Sequence, residues 1–165
     1  MTQSKAAALL QKITRIVPGI AGYQDRETRR DADRAVRVKA AGEVAKCRAL
    51  LSEAMDDLSR SGGGRNLKMV GNLERMATKL ERTEDELRYA PSGYAGWFDS
   101  VGIAIEDLEH LYEYDLGLLS AAQALSEYIG DVSRIGTDND WTSSLDEGLR
   151  NLRDAFEGRK RMMED

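Results

Sequence analysis

Apolar residues recur at spacings of three and four along most of this chain, and four clusters of turn-forming residues interrupt them. The breaks fall at Val17 to Gly22 around Pro18 and Gly19, at Ser61 to Gly64, at Ala90 to Gly93, and at Gly136 to Asp140. Five helical segments are expected between them. The first covers about residues 4–16, with Ala6, Leu9, Leu10, Ile13, Ile16 and Val17 on one face. The second covers about 25–60, with Ala32, Val36, Val44, Cys47, Leu51, Met55 and Leu58 inward. It is some 50 Å long at about 1.5 Å per residue. The third covers about 66–89 (Val70, Leu73, Met76, Ala77, Leu80, Leu87). The fourth covers about 103–135 (Leu108, Leu111, Tyr112, Leu116, Leu119, Ala122, Leu125, Ile129, Val132), and the fifth about 142–162 (Leu145, Leu149, Leu152, Phe156). Asp25 is a candidate N-cap for the second. Ser144 with Glu147 has the form of a capping box for the fifth, with Asn139 and Thr142 as alternatives.

No stretch alternates with the period of a strand. Narrow apolar stripes on long helices suit bundle or coiled-coil packing. The expected fold is all-α: an elongated antiparallel four-helix bundle with long helical hairpins plus a short N-terminal helix. Residues 1–17 form the amphipathic N-terminal helix and residues 23–165 the helical bundle domain. Segments two and three fold back as one hairpin, four and five as the other.

Composition narrows the function classes. The chain has 165 residues, of which 32% are charged, and a net charge of −5, which argues against general nucleic-acid binding. Its first 24 residues hold Lys5, Lys12 and Arg15 and no acid, leaving −8 on the remainder. The one cysteine, Cys47, excludes an intrachain disulfide and reads as a small buried hydrophobe. No apolar run is long enough to span a membrane, and no signal-peptide pattern opens the chain. The expectation is a cytoplasmic protein.

Four features carry candidate chemistry. The run from Gln24 to Arg37 holds five arginines and four acids, which pair at i,i+3 and i,i+4 on a helix (Asp25 with Arg29, Asp33 with Arg37) and read as a solvated face. Within it Arg26, Arg30 and Arg34 stack along one line that suits an acidic partner. The connection Tyr89 to Phe98 holds four of the ten aromatic residues. Tyr94, Trp97 and Phe98 there are either a plug over one end of the bundle or interface anchors. Glu106, Glu109, His110 and Glu113 place carboxylates and an imidazole on one helix. A histidine-containing di-iron site needs two Glu-x-x-His motifs on separate helices, and this chain has a single histidine. The face therefore reads as solvated, with a carboxylate metal site as the alternative. Last, Lys5, Leu9, Lys12, Ile13, Arg15 and Ile16 form a basic amphipathic helix. It either packs on the bundle or lies on an anionic membrane surface at the inner face of the envelope. The glycines at 62–64 lack the lysine and strand of a phosphate-binding loop.

Two stretches together, Pro18 to Glu27 (PGIAGYQDRE) and Tyr89 to Asp99 (YAPSGYAGWFD) with LYEYD ending at Asp115, resemble a family of uncharacterised all-helical prokaryotic proteins over most of the chain. That resemblance implies no activity, cofactor or catalytic residue. In layout alone, a basic amphipathic helix ahead of a long hairpin is similar to the phage-shock protein A family of membrane-stress proteins, without a shared motif. The expectation for function is a non-enzymatic helical scaffold or interaction protein without cofactor. It would act through helix packing and self-association, or on a protein partner through Tyr94, Trp97, Phe98, Arg26, Arg30 and Arg34.

Overall fold

The computed structural model describes residues 4–61, 67–90, 95–130 and 141–164. They form six helices and, among the described residues, no strand: α1 Lys5–Ile16, α2 Arg29–Ser61, α3 Leu67–Tyr89, α4 Ala95–Phe98, α5 Ile105–Gly130 and α6 Trp141–Glu164. The all-α bundle expected from the apolar spacing is what the chain builds. Stretches 62–66, 91–94 and 131–140, with Tyr94 and most of three of the four turn signals, lie outside the described residues.

α2 and α3 run antiparallel. Arg37 reaches the Leu87 carbonyl at 2.7 Å, and further along Arg48 meets Glu84 at 2.6 Å and Glu81 at 3.3 Å. α5 and α6 do the same, with Asp115 opposite Arg159 and Tyr128 opposite Trp141. The hairpins stack so that α2 lies on α5 and α3 on α6, the latter joined by Lys79 and Asp146 at 2.8 Å. The core between them is aliphatic, with Val36, Val44, Leu51, Leu73, Leu80, Leu111, Leu118 and Leu152 fully buried. Each such side chain contributes about 1.5–3 kcal/mol by leaving water. Ala40 and Ala41 keep the α2 face low enough for close approach. Cys47 belongs to this stripe. Burial, then the charge of Glu43, pushes its thiol up to about 12.

α1 packs along α5. Ser4 caps it, its side chain accepting from the Ala7 amide at 3.2 Å. Ile13 is fully buried, Ala6 and Val17 are buried, and Leu9, Leu10 and Ile16 pack against the core. The chain then reverses through two glycines in the left-handed region, Gly19 (φ 85°) and Gly22 (φ 87°). A Cβ on Gly22 would stand 2.5 Å from the Tyr112 hydroxyl and 3.1 Å from Leu10, so only glycine fits there.

Three boundaries differ from the sequence pattern. α2 begins at Arg29 and not at Asp25. Residues 25–28 form a turn in which the Asp25 carboxylate accepts from the Glu27 amide at 3.1 Å and the Thr28 hydroxyl reaches the Gly22 carbonyl at 3.3 Å. α6 begins at Trp141, so Thr142 and Ser144 lie inside its first turn and not at an N-cap position, while Asn139 falls outside the described residues. α5 begins at Ile105, and the short α4 precedes it.

Candidate interaction groove

The sequence pattern put charge on the outside of α2, but the structure buries much of it at one end of the bundle. Arg29, Asp33, Arg37, Asp115 and Arg159 are all buried. Arg159 is the centre. Its Nε donates to Asp115 Oδ1 at 2.6 Å and its Nη2 to the Tyr23 hydroxyl at 3.0 Å, while Tyr23 donates in turn to Asp115 Oδ2 at 2.7 Å. Asp33 stands 2.6 Å from Arg159 Nη1 as an ionic contact without an aligned N–H, and it accepts from Arg37 Nε at 3.0 Å. Two carboxylates and two guanidiniums thus neutralise one another out of water. Burial raises the Asp115 carboxyl above its ordinary value against the pull of Arg159, and burial with the Asp115 charge raises the Tyr23 phenol far above its own.

Arg29 connects this cluster to the aromatic connection. Its Nε donates to the Tyr23 carbonyl at 2.9 Å, and its Nη1 donates to the carbonyls of Phe98 at 3.0 Å and Ser100 at 2.8 Å. A fixed fork of donors suits three fixed carbonyls. Phe98 is consequently buried as a plug. Trp97 is only partly buried, edge-on to Phe98 (centroids 5.6 Å, 83°) and to Tyr23 (6.3 Å, 78°). Of the aromatic trio, then, Phe98 belongs to the core and Trp97 to a surface.

That surface is a groove of about 820 Å3 between α5 and α6, lined by Trp97, Asp107, His110, Tyr114, Gly117 and Met162 among others. Its volume is in the range of ligand and anchor-residue pockets. The Tyr114 ring lies on bare α6 backbone: a Cβ on Gly158 would come within 3.0 Å of its Cε1. Gly117 leaves the α5 wall open, with nothing within 4 Å of where a Cβ would be. Beside the groove in the chain, Val101 (96% exposed) and Ile105 (67%) face water.

The remaining sequence candidates are placed as follows. Arg26, Arg30 and Arg34 are all exposed, but Arg26 precedes α2 and so leaves the helical line. Arg30 pairs with Asp99 at 3.2 Å and lies 5.9 Å from the Phe98 ring centre. Glu106 and His110 are exposed on α5, whereas Glu109 and Glu113 are met by Lys5 at 3.7 and 2.8 Å. Lys5 holds the Glu113 carboxyl below the usual range. Among the described residues no group of three or more His, Cys, Asp or Glu is placed to hold one ion. Lys12 and Arg15 are exposed, and the apolar face between them rests on α5. No described helix is long and apolar enough to cross a membrane.

Fold and groove define a class: an all-α bundle protein of two antiparallel hairpins with a helix appended to one of them. Beyond the class, comparison identifies no relative, for no protein-family profile, curated protein or solved structure matches this chain.

Proposed function

We propose that this chain is a non-enzymatic helical interaction protein of the cytoplasm, working through helix packing against a protein partner or a second copy of itself. Its contact surface is the groove between α5 and α6. The observation that carries the reading is the half-buried Trp97 at the edge of a cavity of about 820 Å3 with a bare stretch of α5 at Gly117. An aromatic side chain held rigidly at a concave surface is the usual anchor of a protein contact. Arg29 supplies the rigidity through the carbonyls of Phe98 and Ser100. The buried ionisable cluster supports the same reading, since its groups are directed at one another.

The test is photo-crosslinking in cells with the reactive side chain at position 117, and at the exposed α2 position Val38 as control. Adducts at 117 and none at 38 support the groove. An adduct of twice the chain's mass identifies self-association. Equal yields at the two positions, or none at 117, refute it. The anionic-membrane reading of α1 requires α1 to leave α5, because the face that would enter lipid is the one that packs on the bundle. Flotation on anionic liposomes tests that separately.

A further inference from the structure

α5 carries six carboxylates (Glu106, Asp107, Glu109, Glu113, Asp115, Glu127) and neither lysine nor arginine. Along one flank it already holds a basic helix. α1, with three cations and no acid, lies there with Lys5 between Glu109 and Glu113. Charge asymmetry visible in the sequence is thereby matched inside the molecule. On its other flank, toward α6, the same helix turns Asp107, His110, Tyr114 and Gly117 to the open groove at spacings of three and four. Glu113 stands between the two flanks, binding Lys5 and lining the groove.

We propose that the groove seats a second basic amphipathic helix, belonging to a partner protein. Its cations lie along Asp107, Glu113 being held by Lys5, and its apolar side chains lie against Trp97, Tyr114 and Met162. This rests on the interaction reading of the groove and names the partner's chemistry. Acidic α5 attracts the cationic edge, as it does that of α1. The aromatic faces favour Lys and Arg stems and heads. The bare backbone at Gly117 admits a helix closely, which is the helix-in-groove mode. Arg161 faces the same space from α6 and repels cations, so the basic edge is oriented toward α5.

The experiment is calorimetric titration of the full chain with three synthetic amphipathic helices of about 18 residues, roughly five turns. They share one Leu-rich face, and their polar face is all Lys, all Gln or all Glu. The Lys helix should bind about tenfold tighter than the Gln helix, with the Glu helix weakest and the preference falling with salt. Asp107→Lys should remove the preference, and Arg161→Glu should strengthen it. Gly117→Leu, whose side chain enters open space and so leaves the fold intact, should abolish binding. If all three helices bind alike and Gly117→Leu blocks all of them, the groove is an interaction surface but charge does not select its occupant, and this inference falls alone. If none binds, or Gly117→Leu blocks none, the groove reading falls with it. A peptide-free dimer in sedimentation that Gly117→Leu dissociates makes a second copy the occupant and overturns the proposal.

Discussion

Arg159 donates to Asp115 at 2.6 Å in a place where neither side chain is exposed to water at all. Removing one partner from such a pair leaves the other charge buried and unpaired, which costs about 3–5 kcal/mol. Arg159→Met should therefore lower the unfolding free energy by about that much in urea titration, because it leaves Asp115 without a counter-ion, while Asp33 keeps Arg37. Adding Asp115→Asn to the same chain should restore a large part of the loss, and adding Asp33→Asn should not, because Asp33 still neutralises the buried Arg37. An Arg159→Met, Asp115→Asn double variant less stable than Arg159→Met would mean that the Asp115 carboxylate has a role apart from Arg159.

Gly22 is the tightest backbone position in the described residues' turns, at φ 87° with the Tyr112 hydroxyl where a Cβ would be. Gly22→Ala should destabilise by about 2 kcal/mol or more, from the left-handed backbone and the clash together. Tyr112 also accepts from the Tyr23 amide at 3.2 Å. In a Tyr112→Phe background, which removes the clashing oxygen, Gly22→Ala should cost measurably less. A double-mutant cycle in urea reads the difference.

Cys47 should be inert to thiol reagents in the native state at neutral pH, because the buried thiol ionises only near 12. Its labelling rate should rise in step with the fraction of chain unfolded by urea. Fast labelling without denaturant would show that α2 opens locally at its middle.

Docking of α1 should depend on pH at the acid end. Lys5 lowers the Glu113 pKa, so the stabilisation from Glu113 is complete above the ordinary glutamate range and is lost as pH falls through the lowered value. On the alkaline side the Lys5 pKa is raised by Glu113, so its stabilisation is complete below the ordinary lysine range and lost as pH rises through the raised value. The Ile13 methyl resonances should move toward their undocked positions at acid pH. Glu113→Gln should flatten the acid response.

The helices and their pairing were legible because a stripe of Leu, Val and Ile at three and four has one efficient burial geometry. The buried charges were misread for an identifiable reason. Arg and Asp in a mixed run normally pair in water, and local pairing rules treat Asp33 and Arg37 as surface residues. Their positions held the contrary signal: Arg29, Asp33 and Arg37 continue the stripe of Ala32, Val36, Ala40 and Val44. Asp115 likewise falls four residues after Leu111 and four before Leu119, and Arg159 three after Phe156 and four before Met163. A charge on an apolar stripe predicts burial with a partner, but the partners lie on different helices and no local spacing names them. Trp97 and Phe98 could not be separated either. Which ring is a plug depends on the three carbonyls that Arg29 holds, and backbone carbonyls have no sequence signature.

The contact of Lys5 with Glu113 spans more than a hundred residues of chain, and this orders events while the protein is being made. α2 and α3 can close on each other as soon as α3 emerges, since they are neighbours in sequence. A nascent chain halted before residue 105 holds a complete α1 and has no α5 to receive it. Until α5 is made, then, the basic amphipathic helix has its apolar face open to whatever lies near the ribosome. It reaches its own binding surface only once α5 has followed it.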